Sequence, residues 1–507
     1  MSFRIAGRRA GDLPRVLTCA AMGALLLASP ARGQLPTLGD GSDMSVAAEK
    51  KLGEKIAREL YRDPDYIEDP VLDEYILGIW TRLLDAARTR GDLTSELDTN
   101  FAWQVVLGKD RVINAFALPG GWMGVQLGLV NVTISSDEIA AVLAHELSHV
   151  TQRHIARLSA QQSKQLPVLI AAMILGAIAM SKNPEAGNAV LAGGQAAAIQ
   201  TGLNFSRDME READRVGFGV MTQAGYDPQA FVTMFEKLQQ ASRLSDNGNF
   251  PYLRTHPMTT ERIAEAQSRQ QLAARPAGAG ASSMLHTIMV ARSRVLSNPG
   301  VDGLRAYASE ADGPQAAGGD RARQVGTLYT AAFAQAKLRD FPAAQRLVAR
   351  LGAAAAGDAV AVRQSRLLDA EIAFLAGDMA RASSLADIAA TTRPEMILGA
   401  QARIQGGKPK EAAQRLQTWV ALNPRDSLAW QLLGAAYHAQ GDTLRAIRAE
   451  AEAQVAHLDY QAAIDRFKAA QDVSRKAPGA GDHIEASIID TRTRQVQSLL
   501  REQAVER

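Results

Sequence analysis

The chain has 507 residues, 47% hydrophobic and 22% charged, with 56 basic side chains against 54 acidic ones and a formal net charge of +2. That balance excludes a disordered or multi-span membrane protein and leaves no electrostatic footprint for nucleic acid, while the length asks for more than one core. The chain has one cysteine, which excludes a disulfide framework, so any metal must be held by histidine and carboxylate.

Arg4, Arg8, Arg9 and Arg15 precede an apolar run from Val16 to Ala28, and Ala31 and Gly33 supply small residues before a cleavage point at Gln34. Residues 1–33 therefore read as a signal peptide, because about 13 apolar residues cover only ~20 Å of a ~30 Å hydrocarbon core. Its removal takes away five arginines and one aspartate, turning the net charge from +2 to −2. Cys19 goes with it, which suits an oxidising compartment.

Residues 46–61 and 71–88 carry apolar side chains at three- and four-residue spacing and predict amphipathic helices. Residues 101–107 and 111–130 are rich in β-formers around a Pro119-Gly120-Gly121 turn and predict a small sheet. A helix starts after Ser135 or Ser136, with Asp137 and Glu138 in its first turn and an apolar stripe through Ile139, Val142, Leu143 and Leu147. Leu166 to Met180 is apolar on every face, and residues 189–198 are mostly small. Two readings fit them: a buried helical hairpin, or peripheral membrane contact through 166–180. Another helix runs from Ser206 to Gln223 and ends near Gly225.

Arg275 to Ser283 reads as a flexible linker. Beyond it, Trp430-x-x-Leu433-Gly434-x-x-Tyr437 matches the tetratricopeptide pattern. A turn signature recurs at Arg339-Asp340, Gly377-Asp378, Gly407-Lys408 and Gly441-Asp442, each followed by an alanine (Ala344, Ala382, Ala412 and Ala446). These lie about 34 residues apart on average, the length of that repeat.

The chemistry concentrates at His145-Glu146-Leu147-Ser148-His149. On a helix, the imidazoles at i and i+4 lie about 40° apart around the axis, where a tetrahedral zinc accepts both. Glu146, offset by about 100°, reaches a water beside the metal without ligating it. A catalytic zinc needs a third ligand, and Glu210 and Asp214 share a helix face at i, i+4. Spacing alone leaves them open between a ligand with its supporting carboxylate and a solvated acidic face, since Arg207, Arg211, Glu212 and Arg215 surround them. On a continuous helix His154 lies about 180° from His145 and serves packing or hydrogen bonding.

Four segments together carry a resemblance: HELSHVTQRH at 145–154, FSRDMEREAD at 205–214, NAFALPGG at 114–121 and RTHP at 254–257. The chain resembles the gluzincin metallopeptidases of the CAAX prenyl protease-like family, in particular the periplasmic members with a tetratricopeptide tail. The resemblance implies that Glu210 is the third ligand of one zinc per chain, with His145 and His149, and that Asp214 holds the outer N–H of a ligating histidine. It implies that Asn114, Ala115, Phe116 and Ala117 begin an edge strand bordering the cleft, where an extended substrate pairs through its backbone. It also brings His256 beside the zinc, either as a plug that keeps the enzyme latent or as a donor to the oxyanion.

The expected protein is mainly α: a signal peptide (1–33), an α+β zincin-type metallopeptidase domain with a small β-sheet (34–274), a linker (275–283), and an α-helical tetratricopeptide-like repeat domain (284–507). It is expected to be an exported, periplasmic zinc endopeptidase acting on unfolded or misassembled polypeptides. Its repeats would meet the outer-membrane β-barrel assembly machinery, as the resemblance implies. The competing reading is a chaperone-like scaffold acting through its repeats over a vestigial site. The intact set of His145, Glu146, His149 and Glu210 argues against that reading.

Overall fold

The computed structural model describes residues 44–161, 206–244, 252, 256–274, 283–297, 300–313, 316, 320–476 and 482–504. The expected signal peptide, the apolar stretches at 166–180 and 189–198, and linker residues 275–282 lie outside the described residues.

Helix α1 (Val46–Tyr61) starts at Ser45, whose side chain accepts from the Ala48 N–H. Helix α2 (Pro70–Arg90) is capped by Asp69, which accepts from Leu72, and it buries Leu72, Ile76, Ile79 and Leu83. After the short α3 (Ser95–Asn100) comes the sheet. Its strands are β1 (Tyr66–Ile67), β2 (Gln104–Gly108), β3 (Ala115–Leu118) and β4 (Trp122–Gln126), in the order β1-β2-β4-β3. Strands β2 and β4 run parallel, and β3 returns antiparallel to β4 with Phe116 opposite Gly124. The sheet thus ends in β3. Alternation sends Ala115, Ala117, Met123 and Val125 into the main core, and Val106, Leu118 and Trp122 under α1.

The short α4 (Leu127–Val132) leads to α5 (Ser136–Thr151), where Ser135 caps by accepting from Glu138 N–H. Every residue of α5 from Glu138 to Thr151 is buried, so the helix runs through the middle of the core. The chain then breaks: Arg153 takes a left-handed φ of 53°, and α6 (His154–Gln161) starts in a new direction. The expectation of one continuous helix through His154 is corrected here. Helices α7 (Arg207–Gln223) and α8 (Pro228–Leu244) pack against α5, and α9 (Thr260–Leu272) packs on α8 and α7. The approach of α7 is close because residue 217 is glycine: a Cβ there would lie 2.9 Å from the Ala144 carbonyl oxygen.

The C-terminal region is helical throughout its described residues. Helices α10 (Met284–Ser297), α11 (Val301–Ser309), α12 (Arg321–Lys337), α13 (Phe341–Ala355) and α14 (Ala359–Ala376) are followed by α15 (Met379–Leu385), α16 (Arg393–Gln405) and α17 (Pro409–Leu422). Then come α18 (Ser427–His438), α19 (Thr443–Ala456), α20 (Tyr460–Lys476) and α21 (Asp482–Ala504). From α12 onward each helix packs on the next. The turn signatures read in the sequence adopt left-handed backbone at Arg339, Gly377, Gly407 and Gly441, with φ of 66°, 86°, 77° and 75°. Asp340, Asp378 and Asp442 then cap the following helices through their side chains.

One apolar core runs without interruption from Val71 to Ile372, so α10 to α14 share a core with the sheet and α5. Ion pairs line the outer end of α2. Arg292 grips Asp69 at 2.6 and 2.8 Å, both buried, and also reaches Tyr329 and Glu371. Arg393 meets Asp73 at 2.7 Å, Arg363 meets Glu74 at 2.6 Å, and His457 and Ser427 meet Glu68. Buried His286, unassigned from the sequence, ties α10 to the same body: its Nδ1 lies 2.7 Å from Tyr75 Oη and its Nε2 3.1 Å from the Thr133 carbonyl. Among the described residues, no helix is long and apolar enough to cross a membrane.

Candidate metal centre

His145 and His149 lie one turn apart on α5, and their Nε2 atoms converge to 3.0 Å. Glu210, in the first turn of α7, brings Oε2 to 3.5 Å of His145 Nε2 and Oε1 to 3.6 Å of His149 Nε2. His256 approaches from the other side, its Nδ1 3.3 Å from His145 Nε2 and 3.0 Å from Glu210 Oε1. These four buried residues could hold a metal ion, with one donor atom each and all donors within 4.8 Å of one another.

The donor set fits zinc. A tetrahedral ion with bonds of 2.0–2.1 Å separates its ligands by about 3.3 Å, the middle of the distances found. Two imidazole nitrogens at 3.0 Å with a carboxylate beside them call for a positive charge between them. The electrostatics agree. Burial works against charge on His145, but its hydrogen bonds to Asp214 and Glu210 outweigh it and raise its pKa to about 9. Burial holds His149 neutral, well below the usual histidine range. Burial opposes charge on Glu210 too, yet His256, His145 and Arg262 keep it ionised well below the usual carboxylate range.

Each imidazole on α5 is backed by a different group. His145 Nδ1 faces Asp214 Oδ1 at 2.9 Å, and Asp214 is gripped by Arg262 through two contacts of 2.7 Å. Arg262 also reaches Glu210 Oε2 at 2.7 Å and donates to the Pro257 carbonyl at 3.0 Å. It thereby joins Glu210 and Asp214 of α7 to the loop that carries His256. On the other side His149 Nδ1 lies 2.8 Å from His154 Nδ1, and His154 Nε2 lies 3.1 Å from Glu212 Oε2. The His154 hydrogen bond, helped by Arg157 at 2.8 Å, holds the Glu212 carboxyl down to about 2.

Glu146 divides its two oxygens. Oε2 accepts from the Ala117 N–H at 2.9 Å, whereas buried Oε1 has no hydrogen-bond partner among the described residues and lies 3.4 Å from His256 Nε2. Asn114 O and Gln126 N are hydrogen-bonded across the hairpin, so alternation turns the backbone of Ala115 and Ala117 away from β4. Phe116 instead lays its ring over Gly124. The structure therefore brings His145, Glu146, His149, Glu210, Asp214, His256 and the Ala117 backbone together, while Asn114 and Phe116 face the hairpin partner.

Sequence reasoning missed Arg262 and the position of His154. Nothing in the sequence sets Arg262 apart from other arginines, though it sits with Ile263 and Ala266 on the buried face of α9. His154 was placed on the far side by helical geometry that ends at Arg153. Arg153 is held in its unusual conformation by Glu49 at 3.1 Å and the Met44 carbonyl at 2.6 Å.

The sequence profile of peptidase family M48 matches residues 84–270, which include His145, Glu146, His149, Glu210, Asp214, His256 and Arg262. The chain is 30% identical over 430 residues to the beta-barrel assembly-enhancing protease of Escherichia coli (strain K12), covering 84% of this chain and 85% of that one. Against the protein of that name from Yersinia pestis, identity is 30% over 427 residues, or 83% and 84% of the two chains. The mitochondrial metalloendopeptidase OMA1 of Arabidopsis thaliana is 29% identical over 270 residues, 53% of this chain and 49% of that one.

Proposed function

The chain belongs to peptidase family M48 and is a zinc-dependent metalloendopeptidase, and from that premise we propose that it is exported and cleaves misfolded or stalled polypeptides during outer-membrane protein assembly. His145, His149 and Glu210 hold the zinc, and Glu146 is the general base. The observation that carries the reading is the division of Glu146. One oxygen is fixed by the Ala117 N–H of β3, and the other is left to accept a proton beside the metal ligands. The zinc supplies Lewis acidity that polarises a scissile carbonyl. Glu146 Oε1 takes the proton of the attacking water and returns it to the leaving amine. The outward N–H and carbonyl of Ala115 and the Ala117 carbonyl pair with an extended substrate, which favours unfolded chains of little sequence identity in common.

His256 is the latency plug. A fourth protein donor within 3.3 Å of His145 Nε2 closes the position that a catalytic zinc site keeps open, and its Nε2 faces the base. A periplasmic location is supported by the arginine-rich start and apolar run of residues 1–33. A role beside the β-barrel assembly machinery, met through the helical C-terminal region, is supported by the name of the bacterial relatives.

The test is cleavage of a short unstructured peptide by the full-length protein. Turnover that disappears with a chelator and in Glu146→Gln, and rises in His256→Ala, supports the reading. Turnover that survives in Glu146→Gln removes Glu146 from the chemistry, and a large loss in His256→Ala makes His256 a donor to the oxyanion instead.

A further inference from the structure

His145 and His149 are equivalent in sequence, but the structure orients them by unlike means. Asp214, an anion, stands behind His145. Behind His149 stands another imidazole, fully buried His154, which is in turn held by Glu212. Two imidazole nitrogens at 2.8 Å need one proton between them. If Nε2 of His149 is the metal-facing atom, a neutral ring carries its proton on Nδ1, and that N–H donates to His154 Nδ1. His154 then carries its own proton on Nε2, the atom 3.1 Å from the Glu212 carboxylate. Each group along His149, His154 and Glu212 has one consistent role, and the opposite tautomer of His154 would turn a lone pair on the carboxylate.

Local backbone places His154 for this. The chain leaves α5 after Thr151, and Arg153 turns it through the left-handed region. A straight continuation would have carried residue 154 away from His149. Arg153 is anchored by Glu49 and the Met44 carbonyl, while Arg157, one turn into α6, donates to the same Glu212 oxygen, Oε2, that His154 Nε2 meets.

We propose that His154 is a positioning residue for the metal: with Glu212 behind it, it fixes the tautomer and ring rotation of His149 so that Nε2 is presented to zinc. The proposal rests on the reading of His149 as a zinc ligand. Outer partners of metal-bound histidines commonly contribute 10–100-fold to metal affinity.

The experiment measures zinc affinity of the full-length protein by chelator competition, with the visible spectrum of the cobalt-substituted protein as a second readout. The variants are His154→Phe, His154→Asn and Glu212→Ala. Phenylalanine keeps the ring volume and cannot accept, whereas the Asn side-chain oxygen sits close to where Nδ1 was. Binding about 10–100-fold weaker in His154→Phe, with shifted cobalt bands and substantial recovery in His154→Asn, supports the proposal. Wild-type affinity in His154→Phe, or equal loss in Phe and Asn, overturns it, the latter by reducing His154 to packing. If His154→Phe does not fold, Glu212→Ala decides: several-fold weaker zinc supports the relay and unchanged affinity refutes it. Failure of the underlying reading looks different, because His149→Ala would then bind zinc as the wild type does.

Discussion

The peptidase core and the helical C-terminal region both bury charge, and they do it in opposite geometries. Around α5, the side chains of His145, Glu146, His149, Glu210, Asp214, His256 and Arg262 converge from three helices and a loop on one point. Along the C-terminal region, Arg292, Arg363, Arg393 and His457 spread out to meet Asp69, Glu74, Asp73 and Glu68 at separate points. The first arrangement gathers unlike groups into a field that favours a cation. The second neutralises each charge locally and joins two parts of the chain. Burial alone therefore does not mark a site. Convergence with an acceptor left over, such as Glu146 Oε1, does.

This contrast breaks most sharply if activity and stability can be separated. Glu146→Gln should lower kcat/KM by about 10²–10⁴-fold, the usual contribution of a general base, with zinc near one per chain and an unchanged melting curve. Peptide kinetics beside metal analysis checks it. Arg292→Met should do the reverse. It leaves Asp69 buried without its cation, at a cost of roughly 3–5 kcal/mol in urea unfolding, while the folded fraction retains zinc.

That variant also carries a sign in pH. In the wild type, burial opposes charge on Asp69, but Arg292 outweighs it and holds the carboxyl below its ordinary value. The stabilisation is thus fully present above the unfolded value of about 3.9 and lost as pH falls through the lower folded one. Without Arg292, only the Leu72 N–H and Lys337 remain against the larger effect of burial, so the carboxyl should rise and stability should fall as pH rises above about 4. Unfolding titrations of both proteins would show the slopes diverge.

Smaller effects sharpen the comparison. Gly217→Ala pushes a methyl against the Ala144 carbonyl, and α7 must move with Glu210. A loss of about 1–3 kcal/mol accompanied by weaker zinc is expected, from thermal melts and chelator competition. Arg62→Ala should be nearly silent, at most about 1 kcal/mol by urea unfolding, because the pair with Asp459 involves an Arg62 side chain that is 51% exposed.

Much of the candidate site was legible because its residues sit on regular helices. His145 and His149 are one turn apart, as are Glu210 and Asp214, and a fixed helical period converts such spacing into a shared face. The repeat turns were legible for the same local reason, since Gly377-Asp378 and Gly441-Asp442 supply a left-handed residue and a cap. What escaped depends on distant parts of the chain meeting. Arg262 gains its meaning only where α9 crosses α7, and His154 only because Glu49 and Met44 stabilise a bend at Arg153. The edge position of β3 follows from strand order, which no strand encodes by itself.

The uninterrupted core from Val71 to Ile372 also bears on the timing of synthesis. A ribosome delivers the chain from its N-terminus at ~5–20 residues per second, so Glu146 is made roughly ten to forty-five seconds before Ile372. Until α10 is made, about two thirds of the way through that interval, α2 and α4 lack the cover that it supplies through Met289, Arg292 and Ser293. A nascent chain therefore carries the residues of the candidate site in an unfinished body, and a product ending near residue 283 would leave apolar surface open. Such a fragment would be food for proteases before it could act as one, so completion of α10 to α14 would decide when the first half begins to cut.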